Sequence, residues 1–90
     1  MAEKMKVEIR WRDELGAEDR DPFHSYLKWV ERKDTPSAME EVFKMWLADR
    51  IEGRKALVSD LEFLLDGKLI ELSREEENEY FQRIGEAAGK

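Results

Sequence analysis

Cysteine is absent from this 90-residue chain, which excludes disulfides, thiolate metal sites and cysteine nucleophiles. Histidine occurs once, at position 24. A lone imidazole anchors no His-rich metal site, and with Phe23 and Tyr26 nearby it reads as a packing or surface residue. No run approaches the ~18 apolar residues of a membrane span, and the opening MAEKMKVEIR lacks the apolar core of a signal peptide. A soluble, cytoplasmic protein is expected. Phosphate-loop, dinucleotide-loop and G-x-S-x-G signatures are missing. The acid-rich stretch DELGAEDRDP, 13–22, lacks the calcium-loop spacing and reads as a solvated loop. No cofactor, metal or catalytic residue is expected, and the chain is not read as an enzyme.

Charge and aromatic rings are plentiful. Charged residues make up 42% of the chain and apolar residues 41%, so a folded domain with a dense charged surface is expected rather than a disordered chain. Residues 1–90 form a single domain. Three Trp, four Phe and two Tyr enlarge the small core that such a chain builds. The net charge of −6 argues against broad, non-specific nucleic-acid binding, which runs on Lys and Arg.

Met5, Val7, Ile9 and Trp11 alternate with Lys6, Glu8, Arg10 and Arg12, the period of a half-buried strand. FHSYLKWVERK, 23–33, fits either a helix opened by Asp21-Pro22 or a strand over 25–32. Its aromatic and β-branched content favours the strand. Thr35-Pro36 opens a helix as N-cap and N1, with the stripe Met39, Val42, Phe43, Trp46 and Leu47 facing a core and Gly53 as its stop. Ser73 and Glu76 match a capping box for a helix from about 74. Tyr80, Ile84 and Ala87 form its apolar stripe, Glu79 pairs with Arg83 at i, i+4, and 85–90 form a frayed tail.

LEFLLDGKLIEL, 61–72, admits two readings. A type I′ turn at Asp66-Gly67 makes a hairpin in which Phe63 faces Ile70, Leu64 faces Leu69 and Leu65 faces Lys68. That register also sets Glu62 against Glu71, an unfavourable like-charge pair. Alternatively, Leu57, Leu61, Leu64 and Leu65 line a helix stopped by Gly67. The Asp-Gly pair between alternating runs favours the hairpin.

Two resemblances follow. Thr35, the helix with Met39 and Phe43, and the run EFLLDGKLIE look like the central helix and following hairpin of ubiquitin-like β-grasp domains, over residues 5–72. The chain departs from that family in its longer helix-to-strand stretch, its final helix and its lack of a C-terminal Gly-Gly, so conjugation activity is not implied. The resemblance implies a contact patch on the hairpin: Leu64, Lys68 and Leu69. VSDLEFLLDGKLIEL also resembles the end of a winged-helix domain, with Arg50, Arg54 and Lys55 near DNA. The expected fold is therefore α+β, with a small sheet, central helix, Asp-Gly hairpin and C-terminal helix; the winged-helix fold is the alternative. The expected function is non-enzymatic protein–protein interaction, as an adaptor or inhibitor for a protein partner, one of basic charge suiting the acidic surface. DNA binding is the second reading, and no membrane is involved.

Overall fold

Met5, Val7, Ile9 and Trp11 turn one side of strand β1 (Lys4–Asp13) into the core, because successive side chains of a strand point to opposite faces. A computed structural model describes residues 3–13, 23–54 and 58–89, with the backbone alone for Asp13. Most of the acidic 13–22 stretch therefore lies outside the described residues, as do Lys55 and Leu57. Strand β2 (Phe23–Glu31) runs antiparallel to β1, with Ile9 opposite Tyr26 and Met5 opposite Val30. The strand reading of this segment holds.

Helix α1 (Thr35–Trp46) buries Ala38, Met39, Val42, Phe43 and Trp46. Its N-cap is Asp34, not Thr35: the Asp34 carboxylate accepts the Ser37 N–H at 3.1 Å and the Ser37 hydroxyl at 2.9 Å. Asp outranks Thr as a cap, so the helix starts one residue earlier than Thr35-Pro36 suggests. A π turn, Leu47–Ile51, prolongs α1, with the Glu52 N–H donating to the Leu47 carbonyl at 2.8 Å. Gly53 then breaks away at φ +72°, the left-handed conformation that glycine adopts freely.

Strand β3 (Val58–Leu65) pairs antiparallel with β1, and β4 (Lys68–Ile70) with β3. The sheet order is β2-β1-β3-β4. The winged-helix alternative is thereby corrected, since residues 58–65 are extended and supply no recognition helix. A helix would gather Leu61, Leu64 and Leu65 but turn Phe63 away. The strand instead buries Leu61, Phe63 and Leu65 together, with no exposed surface left on Phe63. Asp66 (φ 51°) and Gly67 (φ 82°) are the two central residues of the hairpin turn, both in the region a type I′ turn requires. Because β4 ends at Ile70, Glu71 is never paired with Glu62, and the expected clash does not arise.

Helix α2 (Arg74–Ala88) opens on the expected capping box, Ser73 Oγ accepting the Glu76 N–H and Glu76 Oε1 the Ser73 N–H. It runs on through 85–88, where sequence suggested fraying; Ala87 and Ala88 are buried, and the Ala87 carbonyl accepts the Gly53 N–H at 3.1 Å. Small side chains let this last turn sit close against the chain after the π turn. Arg83 pairs with Glu40 of α1 rather than Glu79, through two bonds of 2.7 and 2.8 Å. That fork locks the two helices together. The rings of Phe43, Phe63 and Tyr80 meet at centroid distances of 4.8 to 6.1 Å, joining α1, the sheet and α2 in one aromatic cluster. Both helices cover the same face of the sheet.

Candidate functional site

Antiparallel pairing brings side chains of one parity into rows across the sheet. The core rows are Met5–Val30, Val7–Leu65, Ile9–Tyr26–Phe63 and Trp11–Leu61. The opposite parity makes the uncovered face. Its central row crosses all four strands as Leu27–Glu8–Leu64–Leu69, about 14 Å from first to last at ordinary strand spacing. Trp29 stands beside it opposite Lys6, with Ser25 opposite Arg10 and Phe23 opposite Arg12 further along. Among the described residues, the large apolar side chains that are exposed, Trp29 (61%), Leu69 (52%), Leu27 (43%) and Phe23 (38%), all belong to this face. Among the described residues no helix or loop covers it.

Charged groups on the face are matched by sign. Glu8 accepts from Arg10 Nε at 3.0 Å and from the Ser25 hydroxyl at 2.9 Å. The Arg10 bond, then the Ser25 bond, hold the Glu8 carboxyl below the usual carboxylate range. Arg12 lies 3.6 Å from Asp60 and covers the Phe23 ring at 4.8 Å. Lys4 sits opposite Glu31, and Arg10 opposite Glu62. A depression of about 320 Å³ opens between Glu8, Arg10, Phe23, His24, Ser25 and Glu62. Its serine donates to a carboxylate already held by arginine, and that ionised, engaged carboxylate is a weak general base. His24 stacks on Trp11 at 5.3 Å. The arrangement suits binding by complementarity of shape and charge.

Leu64 and Leu69 come together as a facing pair, half-buried and exposed respectively. Lys68 does not join them. It faces Leu65, whose side chain is buried under the helices, so the cation of the expected patch points to the other side of the sheet. Of the DNA-facing trio, Arg50 lies in the π turn with its guanidinium 5.8 Å from the Tyr26 ring centre. Arg54 is exposed just after Gly53. The geometry gives Arg50 no recognition helix to work from.

Sequence reasoning passed over Leu27, Trp29 and Phe23. The signal was present, since a strand at 25–32 sets Leu27 and Trp29 on one side and Tyr26 and Val30 on the other. Only the pairing with β1 reveals which side is covered.

Among the described residues no three His, Asp or Glu side chains gather to hold a metal ion, and no helix is long and apolar enough to cross a membrane. Comparison with family models, with curated proteins and with solved structures finds no match to this chain.

Proposed function

We propose that this protein is a non-enzymatic interaction module that docks a protein partner on the uncovered face of its sheet. Trp29 and Leu69 are the anchors, and Leu27 and Leu64 fill the strip between them. The observation that carries this reading is that, among the described residues, the large exposed apolar side chains are confined to one face. Contiguous exposed apolar surface with a polar surround is what interaction sites present.

Charge favours a protein over a nucleic acid. The cations of the face, Lys4, Lys6, Arg10 and Arg12, meet as many acids in Glu8, Glu31, Asp60 and Glu62. No net positive field remains to gather phosphates. The overall charge of −6 would hasten encounter with a basic partner more than it would deepen affinity.

The test is comparative capture from a lysate of the source cells by wild-type protein, by Trp29→Ala/Leu69→Asp, and by Glu77→Lys on the exposed side of α2. A protein held by wild type and by Glu77→Lys, and released at least ten-fold by the double variant, supports the reading, since truncating a central aromatic anchor costs about 2 kcal/mol or more. Equal capture by all three sinks it. Capture of nucleic acid in its place, lost as salt rises, would give the site to the DNA-binding reading. Circular dichroism of the double variant checks that the fold is kept.

A further inference from the structure

The free edge of β2 has its own chemistry. The Arg32 N–H donates to the carbonyl of Glu3 at 2.9 Å, one step beyond Lys4↔Glu31, the last pair of the β1–β2 register. Facing residues that exchange bonds alternate with residues whose N–H and C=O point away. Val30, Lys28 and Tyr26 therefore spend their backbone groups on β1. Trp29, Leu27 and Ser25 turn theirs outward, where among the described residues nothing pairs with them. This edge is nine residues long without proline. The edge on the far side of the sheet, β4, has only three residues. Of the large apolar side chains exposed among the described residues, Phe23, Leu27 and Trp29 also belong to β2.

We infer that β2 pairs antiparallel with β2 of a second copy of this chain, about a two-fold axis through Leu27, to give a continuous eight-stranded sheet. A two-fold axis requires that the surface fit itself. Centred on Leu27, the pairing uses all nine residues and matches outward-pointing groups to outward-pointing groups. Leu27 meets its own copy, Ser25 meets Trp29, and Lys28 meets Tyr26. No like charges face each other. Lys28 already stands 5.2 Å from the Tyr26 ring of its own chain, so the partner's ring offers the same cation–π contact. Moving the axis to Lys28 opposes two lysines, and moving it to Tyr26 shortens the overlap. An inward-turned lysine on an edge strand ordinarily discourages strand addition; in the Leu27 register it is provided for.

The pairing has a consequence for the uncovered face. The row Leu69–Leu64–Glu8–Leu27 continues through the axis into its copy, so two short apolar strips become one. The two halves stay open to solvent, and a protein partner can still dock there. Failure of the dimer would thus leave the docking reading standing, and the reverse holds too.

Sedimentation equilibrium and light scattering test the inference on the full chain. Wild type at about 0.1 mM should show a mass rising toward two chains, falling back on dilution, as befits an interface of one strand pair. Hydrogen exchange should show the amides of Ser25, Leu27 and Trp29 slowing as concentration rises, while those of Tyr26, Lys28 and Val30 are protected throughout. Leu27→Lys, which sets two cations on the axis, should remain a single chain with an unchanged circular dichroism spectrum. Leu27→Pro, which removes only an outward N–H, should do the same; if proline disturbs the fold, the lysine variant and the wild-type exchange pattern still decide. A single chain at about 1 mM overturns the inference. So does a dimer that survives Leu27→Lys, because another surface would then hold the copies together.

Discussion

The two faces of the sheet are built from the same strands and differ in what their alternation delivers. On β1 the sequence is divided cleanly: Met5, Val7, Ile9 and Trp11 go under the helices, and Lys4, Lys6, Glu8, Arg10 and Arg12 go to the open side. On β2 it is not. Tyr26 and Val30 are buried, yet Phe23, Leu27 and Trp29 on the opposite side are aromatic or aliphatic as well and stay exposed. Folding accounts for the inward set. It does not account for the outward set, each member of which, at 38–61% exposure, forgoes roughly half of the 1.5–3 kcal/mol that full burial provides. An apolar surplus on one strand, beyond what the core uses, is what the docking proposal rests on.

The largest expected effects test that asymmetry directly. Phe63 is fully buried, with the rings of Phe43 and Tyr80 against it. Phe63→Ala should lose about 3–5 kcal/mol in urea unfolding. In a domain whose total stability is on the order of 5–15 kcal/mol, that change leaves little, so Phe63→Leu, at about 1–1.5 kcal/mol, supplies a measurable companion. Trp29→Ala on the open face should stay within about 0.5 kcal/mol of wild type. Comparable losses from Phe63→Ala and Trp29→Ala would mean that both faces serve folding, and the contrast drawn from β2 would collapse.

The covered face should reveal itself at alkaline pH. Tyr26 is pushed up to about 12, first by burial and then by its hydroxyl bond to Asp49 in the π turn. Asp49 and Arg50 face it from the π turn and Lys28 from its own strand. The folded state resists ionising this phenol, so its contribution is full below pH 10, the ordinary value, and is lost as pH rises from 10 to about 12. The difference in unfolding free energy between wild type and Tyr26→Phe should therefore shrink by about 2 kcal/mol across that window. A difference that stays constant would show that Tyr26 ionises as freely in the fold as outside it.

Sequence made some of this readable and hid the rest, for physical reasons. The strand at β1, the helix stripe of α1, the turn at Asp66-Gly67 and the Ser73 cap are all local: each depends on periodicity or on a side chain bonding its own neighbourhood. Where two local rules competed, the sequence left both open. Leu61, Leu64 and Leu65 satisfy a helix as well as a strand, and only burial of Phe63 against β1 decides. Lys68 was grouped with Leu64 and Leu69 on the β-grasp resemblance, which places an apolar patch and a cation on the hairpin, but strand parity sends it to the opposite face. Arg83 was matched to Glu79 one helical turn away, whereas the geometry of packing gives it Glu40, forty-three residues distant. The site was hidden most deeply, because an uncovered face is defined by what fails to pack on it.

The smallest effect belongs to the open face itself. Glu8 is held ionised by Arg10 and then by Ser25, so its contribution is full above the ordinary carboxylate value of 4.5 and is lost as pH falls through its lower folded value. Arg10 is nearly half exposed, and solvent screening keeps the pair to roughly 1 kcal/mol or less. Glu8→Gln should accordingly flatten the acid limb of the stability curve by tenths of a kcal/mol, without touching the alkaline limb that Tyr26 governs. Measured together, Glu8→Gln and Tyr26→Phe assign one end of the pH profile to each face. If Glu8→Gln altered acid stability as much as Tyr26→Phe alters alkaline stability, the open face would be contributing to the fold as strongly as the covered one. Its apolar residues would then need no partner to explain them.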